Sequence, residues 1–187
     1  MHLPQLPPLE LHFGISMIKY LITDPSYEYE SFGDADFVCF RDKECDNFEE
    51  RAKKFIAKAK GEGIKEIYLS QHYLIAKKLG ATGVHLTSSQ FVFVPEAKRR
   101  GLKVIISTHT EAEIEEAIRK KVDYITYSPI FDTPNKGEAK GIEDLKTMVK
   151  RYNIPIIALG GIITKEHIKK VKDCGVVGFA SIRYFAK

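Results

Sequence analysis

The chain has 187 residues, of which 44% are hydrophobic and 29% are charged. This balance is typical of a folded domain with its own core, and it excludes a chain that is disordered throughout. The formal net charge of +4 is too small to indicate nucleic-acid binding, although it suits a small anionic ligand. No apolar run approaches the roughly 20 residues that cross a bilayer, so we expect no membrane partner.

The cysteines and the N-terminus bear on compartment and domain limits. Cys39, Cys45 and Cys174 are widely spaced and odd in number, which argues against a disulfide framework and against a zinc site. Reduced thiols predict a cytoplasmic protein. Residues 1–17 contain three prolines and no basic region before an apolar core, unlike a signal peptide. We therefore predict an N-terminal arm over residues 1–17 and a single domain over residues 18–187.

Short apolar runs alternate with amphipathic, charged stretches along the rest of the chain. The apolar runs predict eight strands, at residues 18–23, 36–40, 66–69, 83–86, 103–107, 123–127, 154–159 and 176–180. The charged stretches between them include predicted helices at residues 48–60, 110–120, 142–152 and 165–173. Thr164 fits an N-cap of the last of these helices. Strands that alternate with helices indicate a parallel sheet with right-handed crossovers.

Eight such units favour an α/β fold of the (β/α)8 TIM-barrel type. An open, doubly wound sheet is the alternative, although no G-x-G-x-x-G fingerprint follows the first strand. The chain is short for a barrel, which usually has about 250 residues. Asp24 and Asp36 are only about a dozen residues apart, too close for a full crossover helix. We therefore predict a trimmed barrel whose first and last helices are reduced or absent. The N-terminal arm or a second subunit, as in a homodimer, would cover the exposed strand faces.

Chemistry in such barrels collects where the strands end, and two glycines follow the seventh predicted strand. Gly160 and Gly161 precede a capped helix, so their backbone N–H groups could approach a phosphate beside the helix N-terminus. A plain tight turn is the alternative. Arg183, after the eighth strand, adds positive charge if it faces the same site, and otherwise it is a solvated arginine near the terminus.

Two further features suit a ligand site at this end of the barrel. The loop at residues 128–136 contains two prolines and a lysine, and such loops often close over a substrate, although a merely solvated loop fits equally well. His109 ends the fifth strand, where an imidazole could exchange protons near neutral pH. A structural role is the alternative for His109. His85 alternates with apolar neighbours and is expected to pack at the edge of the core.

Six segments in this order resemble the thiamine phosphate synthase/TenI superfamily, a group of (β/α)8 barrels in thiamine biosynthesis. The segments are YLITD at 20–24, FRDK at 40–43, LGATGVHL at 79–86, STHT at 107–110, SPIFDTPNK at 128–136 and ALGGI at 158–162. The resemblance implies one of two activities. The synthase joins a pyrimidine pyrophosphate to a thiazole phosphate with Mg²⁺, whereas the TenI-type tautomerase moves a proton to aromatise a carboxythiazole phosphate without a metal.

The chain departs from the synthase pattern at its magnesium ligands. Ser70 and Gln71 stand where the synthase has Asn-Asp, and Gln90 stands where it has a second aspartate. A hard divalent cation prefers anionic oxygen ligands, which neutral side chains replace poorly. The resemblance therefore implies a tautomerase-like isomerase with no cofactor and no metal ligands. A magnesium ion is expected only if the synthase alternative holds.

The resemblance also implies roles for individual residues. His109 matches the acid/base histidine of TenI-like enzymes, which makes it the candidate catalytic residue. Arg183 departs from the family, which usually has serine near that position. The expected substrate- and phosphate-binding residues are Arg41, Lys43, Ser107, Thr133, Lys136, Gly160, Gly161, Gly178 and Arg183. The expected partner is a small phosphorylated thiazole. A divergent synthase and a non-catalytic, regulatory paralogue that binds thiazole phosphate are the alternatives.

Overall fold

The computed structural model describes residues 16–186, and eight parallel strands in this part of the chain close into a barrel. They follow one another around the barrel in sequence order, and the last pairs with the first, with Gly178 opposite Ile18. The strands are β1 Ile18–Ile22, β2 Phe37–Phe40, β3 Glu66–Ser70, β4 Gly83–Leu86, β5 Lys103–Thr108, β6 Tyr124–Tyr127, β7 Ile156–Leu159 and β8 Gly178–Ser181. The predicted barrel is confirmed, and the pairing of β8 with β1 excludes the open sheet.

Six α-helices surround the barrel within residues 16–186. They are α1 Phe48–Gly61, α2 Tyr73–Leu79, α3 Val94–Arg99, α4 Glu111–Arg119, α5 Ile142–Arg151 and α6 Lys165–Asp173. No helix connects β1 to β2, and none follows β8 in the described part of the chain, so the predicted trimming is confirmed. None of these six helices is long and apolar enough to span a membrane.

Alternate residues of each strand face opposite sides of the barrel wall. The inward side chains form a compact interior that includes Tyr20, Phe37, Tyr68, Ile105 and Ile157. The outward side chains pack beneath the helices in a second, larger apolar cluster. Every strand except β4 contributes an apolar side chain to the interior, and β4 contributes the buried His85. The barrel is therefore filled below its mouth, and a ligand can enter only where the strands end.

The segment between β1 and β2 covers the barrel where the first helix is missing. Phe32 is buried there and packs against Phe55 of α1, with the ring centroids 5.1 Å apart. Its backbone N–H donates to Glu62 Oε2 at 2.7 Å, and Lys58 Nζ donates to the Tyr29 carbonyl at 2.6 Å. These contacts fasten the segment to α1, so it closes that face without being helical.

The residues after β8 cover the other trimmed position. Tyr184 and Phe185 pack against Phe179 on the outer face of β8, with ring centroids 5.4 Å and 6.1 Å from its own. The described chain therefore covers part of the strand surface for which an arm or a second subunit was predicted. Residues 1–15 of the predicted arm lie outside the described residues, and the homodimer stays a prediction.

Candidate active site

A cavity of about 470 Å³ opens at the carboxyl end of the barrel. Each strand contributes a residue to its lining, either from its last positions or from the loop that follows. These residues are Ile22, Cys39, Ser70, His85, Ser107, Ser128, Leu159 and Ala180. A second depression lies at the amino end of α1 and contains none of the predicted site residues. The cavity at the strand ends is therefore the candidate active site.

All but one of the predicted site residues line this cavity. They are Arg41, Lys43, Ser107, His109, Thr133, Lys136, Gly160, Gly161 and Arg183. Gly178 is the exception, because it begins β8 at the opposite end of the barrel. A Cβ atom on Gly178 would lie 2.7 Å from the Ile18 side chain and 2.7 Å from its carbonyl oxygen. The structure thus places Gly178 in the contact between β8 and β1 rather than at a ligand.

The glycine pair after β7 forms a turn that no larger residue could make. Gly160 and Gly161 have φ angles of +104° and +68°, in the region that side chains disfavour. A Cβ on Gly160 would come within 2.7 Å of the Pro129 backbone, and one on Gly161 within 2.7 Å of the Asp132 carbonyl oxygen. The turn therefore lies directly against the loop that follows β6. Ile163 also lines the cavity just before α6, so the amino end of that helix lies beside it.

The loop after β6 is fastened at its base and reaches the cavity with its tip. The Phe131 N–H donates to the Gly160 carbonyl at 3.0 Å, and the Lys140 N–H donates to the Pro129 carbonyl at 2.8 Å. Between these points Thr133 and Lys136 line the cavity, and Lys136 is exposed. The loop can therefore present a cation to a ligand that rests on the glycine turn.

Positive charge is concentrated in the cavity lining. It contains Arg41, Lys43, Lys136 and Arg183, and none of the described residues that line it is an aspartate or glutamate. Arg41 is held by Asp24, with Nη1 donating to Oδ2 at 2.9 Å. The Arg41 guanidinium, together with partial burial and Lys136, lowers the pKa of Lys43. Repulsion between these cations would be relieved by an anion, so the cavity is suited to an anionic ligand.

His109 lies at the edge of the cavity beside a carboxylate. Its Nδ1 is 3.3 Å from Glu113 Oε2, and the same oxygen accepts the His109 backbone N–H at 2.5 Å. Glu113 belongs to the first turn of α4, which Thr110 caps through a bond from the Glu113 N–H. A carboxylate at this place orients the imidazole. The arrangement can take up and return a proton.

His85 lies deeper, in the core as predicted, but its ring also lines the cavity. Nδ1 is 2.9 Å from the Tyr20 hydroxyl, and Nε2 is 3.1 Å from Ser107 Oγ. Burial, with a smaller contribution from Arg41, lowers the pKa of His85 to about 3. The imidazole is therefore neutral at physiological pH. The sequence did not reveal this hydrogen-bonded group, because Tyr20 and Ser107 are distant from His85 along the chain.

The cavity side chains do not match the preferences of a magnesium ion. Ser70 and Gln71 line the cavity, with Ser88 nearby, and all three offer only neutral oxygens. Within residues 16–186 there is no group of three or more histidines, cysteines, aspartates or glutamates placed to hold a metal. Mg²⁺ is usually bound through at least one carboxylate, so the donors present fit it poorly.

Comparison with known proteins gives relatives over most of the barrel. A thiamine-phosphate synthase of Syntrophomonas wolfei is 30% identical over 157 residues, which cover 80% of this chain and 74% of that protein. A relative from Aquifex aeolicus is 36% identical over 124 residues, covering 64% of this chain and 65%, just under two thirds, of that protein. The solved structure of thiamine phosphate pyrophosphorylase from Pyrococcus furiosus superposes with a TM-score of 0.77 at 25% identity, covering 89% of this chain and 85% of that one.

The sequence profile of one family, described as thiamine monophosphate synthase, matches residues 29–185. This match includes the glycine turn, the loop after β6 and the cationic residues after β2. Together with the shared barrel, it shows that the chain belongs to the thiamine monophosphate synthase family, whose members are enzymes of thiamine biosynthesis.

Proposed function

We propose that the protein is a metal-independent thiazole tautomerase that acts on carboxythiazole phosphate. The observation that carries the proposal is the composition of the cavity lining, which combines four cations and two histidines with no carboxylate among the described residues. A substrate with two anionic groups fits such a lining, whereas a magnesium-bound pyrophosphate does not.

In this proposal the two anionic groups of the substrate bind on opposite sides of the cavity. The phosphate rests on the backbone of Gly160 and Gly161, and Lys136 on the loop neutralises part of its charge. The ring carboxylate faces Arg41 and Lys43. The thiazole ring then spans the cavity between these groups, with its reacting atoms towards His109.

His109 moves the proton in the proposed reaction. Its imidazole takes a proton from one ring position of the non-aromatic tautomer, and the imidazolium returns a proton to another position. The product is an aromatic isomer, so protons and electrons balance and no redox partner is required. Glu113 stabilises the intermediate imidazolium, because its carboxylate lies 3.3 Å from Nδ1.

The test is aromatisation of the synthetic tautomer by the purified full chain, followed by ultraviolet absorbance. We expect His109→Ala to lower kcat by roughly 10²- to 10⁴-fold, the usual contribution of a general acid/base. His72→Ala is the matched control, because His72 packs against Phe48 and lies outside the cavity lining. Full activity of His109→Ala would refute the acid/base assignment. Binding of the thiazole phosphate without turnover would instead indicate a non-catalytic paralogue.

The second candidate is a thiamine-phosphate synthase, which the names of the Syntrophomonas relative and the Pyrococcus structure favour. It predicts magnesium-dependent formation of thiamine phosphate from pyrimidine pyrophosphate and thiazole phosphate. The same protein preparation decides between the candidates, because the two reactions share no substrate pair and only one of them depends on added Mg²⁺. Product formation that EDTA abolishes would establish the synthase and refute the tautomerase.

A further inference from the structure

Three polar side chains form a continuous hydrogen-bonded series from the barrel interior to the cavity. The Tyr20 hydroxyl lies 2.9 Å from His85 Nδ1, and His85 Nε2 lies 3.1 Å from Ser107 Oγ. Tyr20 is fully buried, whereas His85, which is 7% exposed, and Ser107 both line the cavity. Ser107 is half-buried and is thus the most exposed of the three, whereas Tyr20 lies behind the lining.

The surroundings of Tyr20 set the direction of these hydrogen bonds. A buried phenol must donate its proton, and the polar groups beside it are His85 Nδ1 and the Cys39 thiol. Sulfur is a weak acceptor, so the phenol donates to Nδ1. A neutral imidazole that accepts at Nδ1 carries its proton on Nε2, which then donates to Ser107 Oγ. The Ser107 proton is left to point into the cavity.

The spacing of Ser107 and His85 also resembles that of a nucleophilic serine and its base, but the electrostatics oppose that role. Burial lowers the pKa of His85 to about 3, so the imidazole is uncharged at pH 7. An imidazole in this environment cannot readily take a proton from serine. It acts as a neutral donor of fixed orientation.

We propose that Tyr20 and His85 are positioning residues that hold the Ser107 hydroxyl as a hydrogen-bond donor to an anionic oxygen of the bound ligand. Arg41 and Ser107 both line the cavity. Resting on the proposed function, the oxygen that Ser107 meets is that of the ring carboxylate, and Ser107 selects for carboxylated thiazoles.

The first test needs no ligand. Long-range ¹H–¹⁵N NMR correlations on the ¹⁵N-histidine-labelled full chain report which nitrogen of His85 carries the proton, with His85→Gln giving the assignment. We expect the Nε2–H form in the wild type and a shifted tautomer population in Tyr20→Phe. Tyr68→Phe is the matched control, because the Tyr68 hydroxyl bonds to Glu66 instead. The Nδ1–H form in the wild type would overturn the proposal, since Ser107 would then donate to His85.

The second test is a double-mutant cycle with calorimetric binding of carboxythiazole phosphate and of the same thiazole phosphate without its carboxylate. Tyr20→Phe should weaken binding of the carboxylated ligand roughly tenfold, as expected for a hydrogen bond to a charged group. It should have no effect in the Ser107→Ala background or on the other ligand. An equal loss in both backgrounds would overturn the proposal. If the wild type binds neither ligand, the proposed function fails, and the histidine tautomer still decides the inference.

Discussion

The two ends of the barrel differ in how their charges are paired. At the amino end, Lys103 Nζ donates to Glu66 Oε1 at 2.7 Å, and the Tyr68 hydroxyl donates to Glu66 Oε2 at 2.8 Å. At the carboxyl end, four cations line the cavity without a carboxylate among the described lining residues, although Arg41 is also paired with Asp24 outside the lining. Charges that are paired within the chain serve the fold. Charges whose repulsion is left for a ligand to relieve mark the site, so substitutions at the two ends should have separable effects.

Glycine substitutions should show the largest difference between the ends. Gly161→Ala combines a positive φ with a contact at 2.7 Å, so we expect it to lower the free energy of unfolding by about 2–4 kcal/mol and to weaken phosphate binding more than tenfold. Gly178→Ala should lower it by about 1–3 kcal/mol and leave phosphate binding unchanged. Urea denaturation and calorimetry with inorganic phosphate measure both quantities.

Gly101→Ala controls for backbone strain alone, because Gly101 has a φ of +80° and no atom within 4 Å of an added Cβ. It should cost about 1 kcal/mol of stability without changing phosphate affinity. If Gly178→Ala weakened phosphate binding as much as Gly161→Ala, substitutions at the two ends would not have separable effects. The phosphate-binding role predicted for Gly178 would then be supported.

The pH dependence of stability tests whether His85 is buried in its neutral form. Its pKa is lowered to about 3 in the folded protein, whereas the unfolded chain binds this proton below about pH 6.5. The unfolded state therefore gains the proton first, and the stability contributed by His85 is lost as pH falls from 6.5 towards 3. Between pH 6.5 and 5.0 the wild type should lose roughly 1.5 kcal/mol more than His85→Gln. Parallel losses in denaturation curves at these two pH values would contradict the buried, neutral state.

The strands and the position of the site could be predicted from the sequence because both depend on local pattern. Each apolar run marks a strand, and in a closed parallel barrel all strand ends meet at one mouth. The two shortest helices, α2 and α3, were not singled out, because seven and six residues show too little periodicity. The contact of Phe32 with α1 likewise depends on side chains that are distant in sequence.

The chemistry within the site was predicted less completely. His109 and Gly161 lie where a strand-end rule places them, but the bonds of His85 join residues 65 and 22 positions away. No local pattern contains such pairs. Gly178 shows a second limit, because a glycine in a family motif can serve either a ligand or a close strand contact. Only the position of Ile18 decides between these two roles.

Lysine substitutions compare a cation that lines the cavity with a cation at the amino end of the barrel. Lys136→Gln should weaken binding of inorganic phosphate roughly tenfold, with a loss that shrinks at high salt, because the cation faces the cavity. Lys103→Gln should leave phosphate affinity unchanged and cost at most about 1 kcal/mol of stability, since its ion pair with Glu66 is partly exposed. Calorimetry at low and high ionic strength distinguishes the two. A salt-independent effect of Lys136→Gln would contradict a direct electrostatic role.

The smallest effect is expected from a substitution of Thr126 in β6. Thr126 lies beside Ser107 in the register of β6 with β5, and its buried Oγ1 has no hydrogen-bond partner among the described residues. An unpaired buried hydroxyl is destabilising, so Thr126→Val should raise the free energy of unfolding by about 1 kcal/mol and leave ligand affinity unchanged. Thermal denaturation and calorimetry with carboxythiazole phosphate test both expectations. If Thr126→Val raised the free energy of unfolding but weakened ligand binding, the Thr126 hydroxyl would belong to the ligand site rather than to the core.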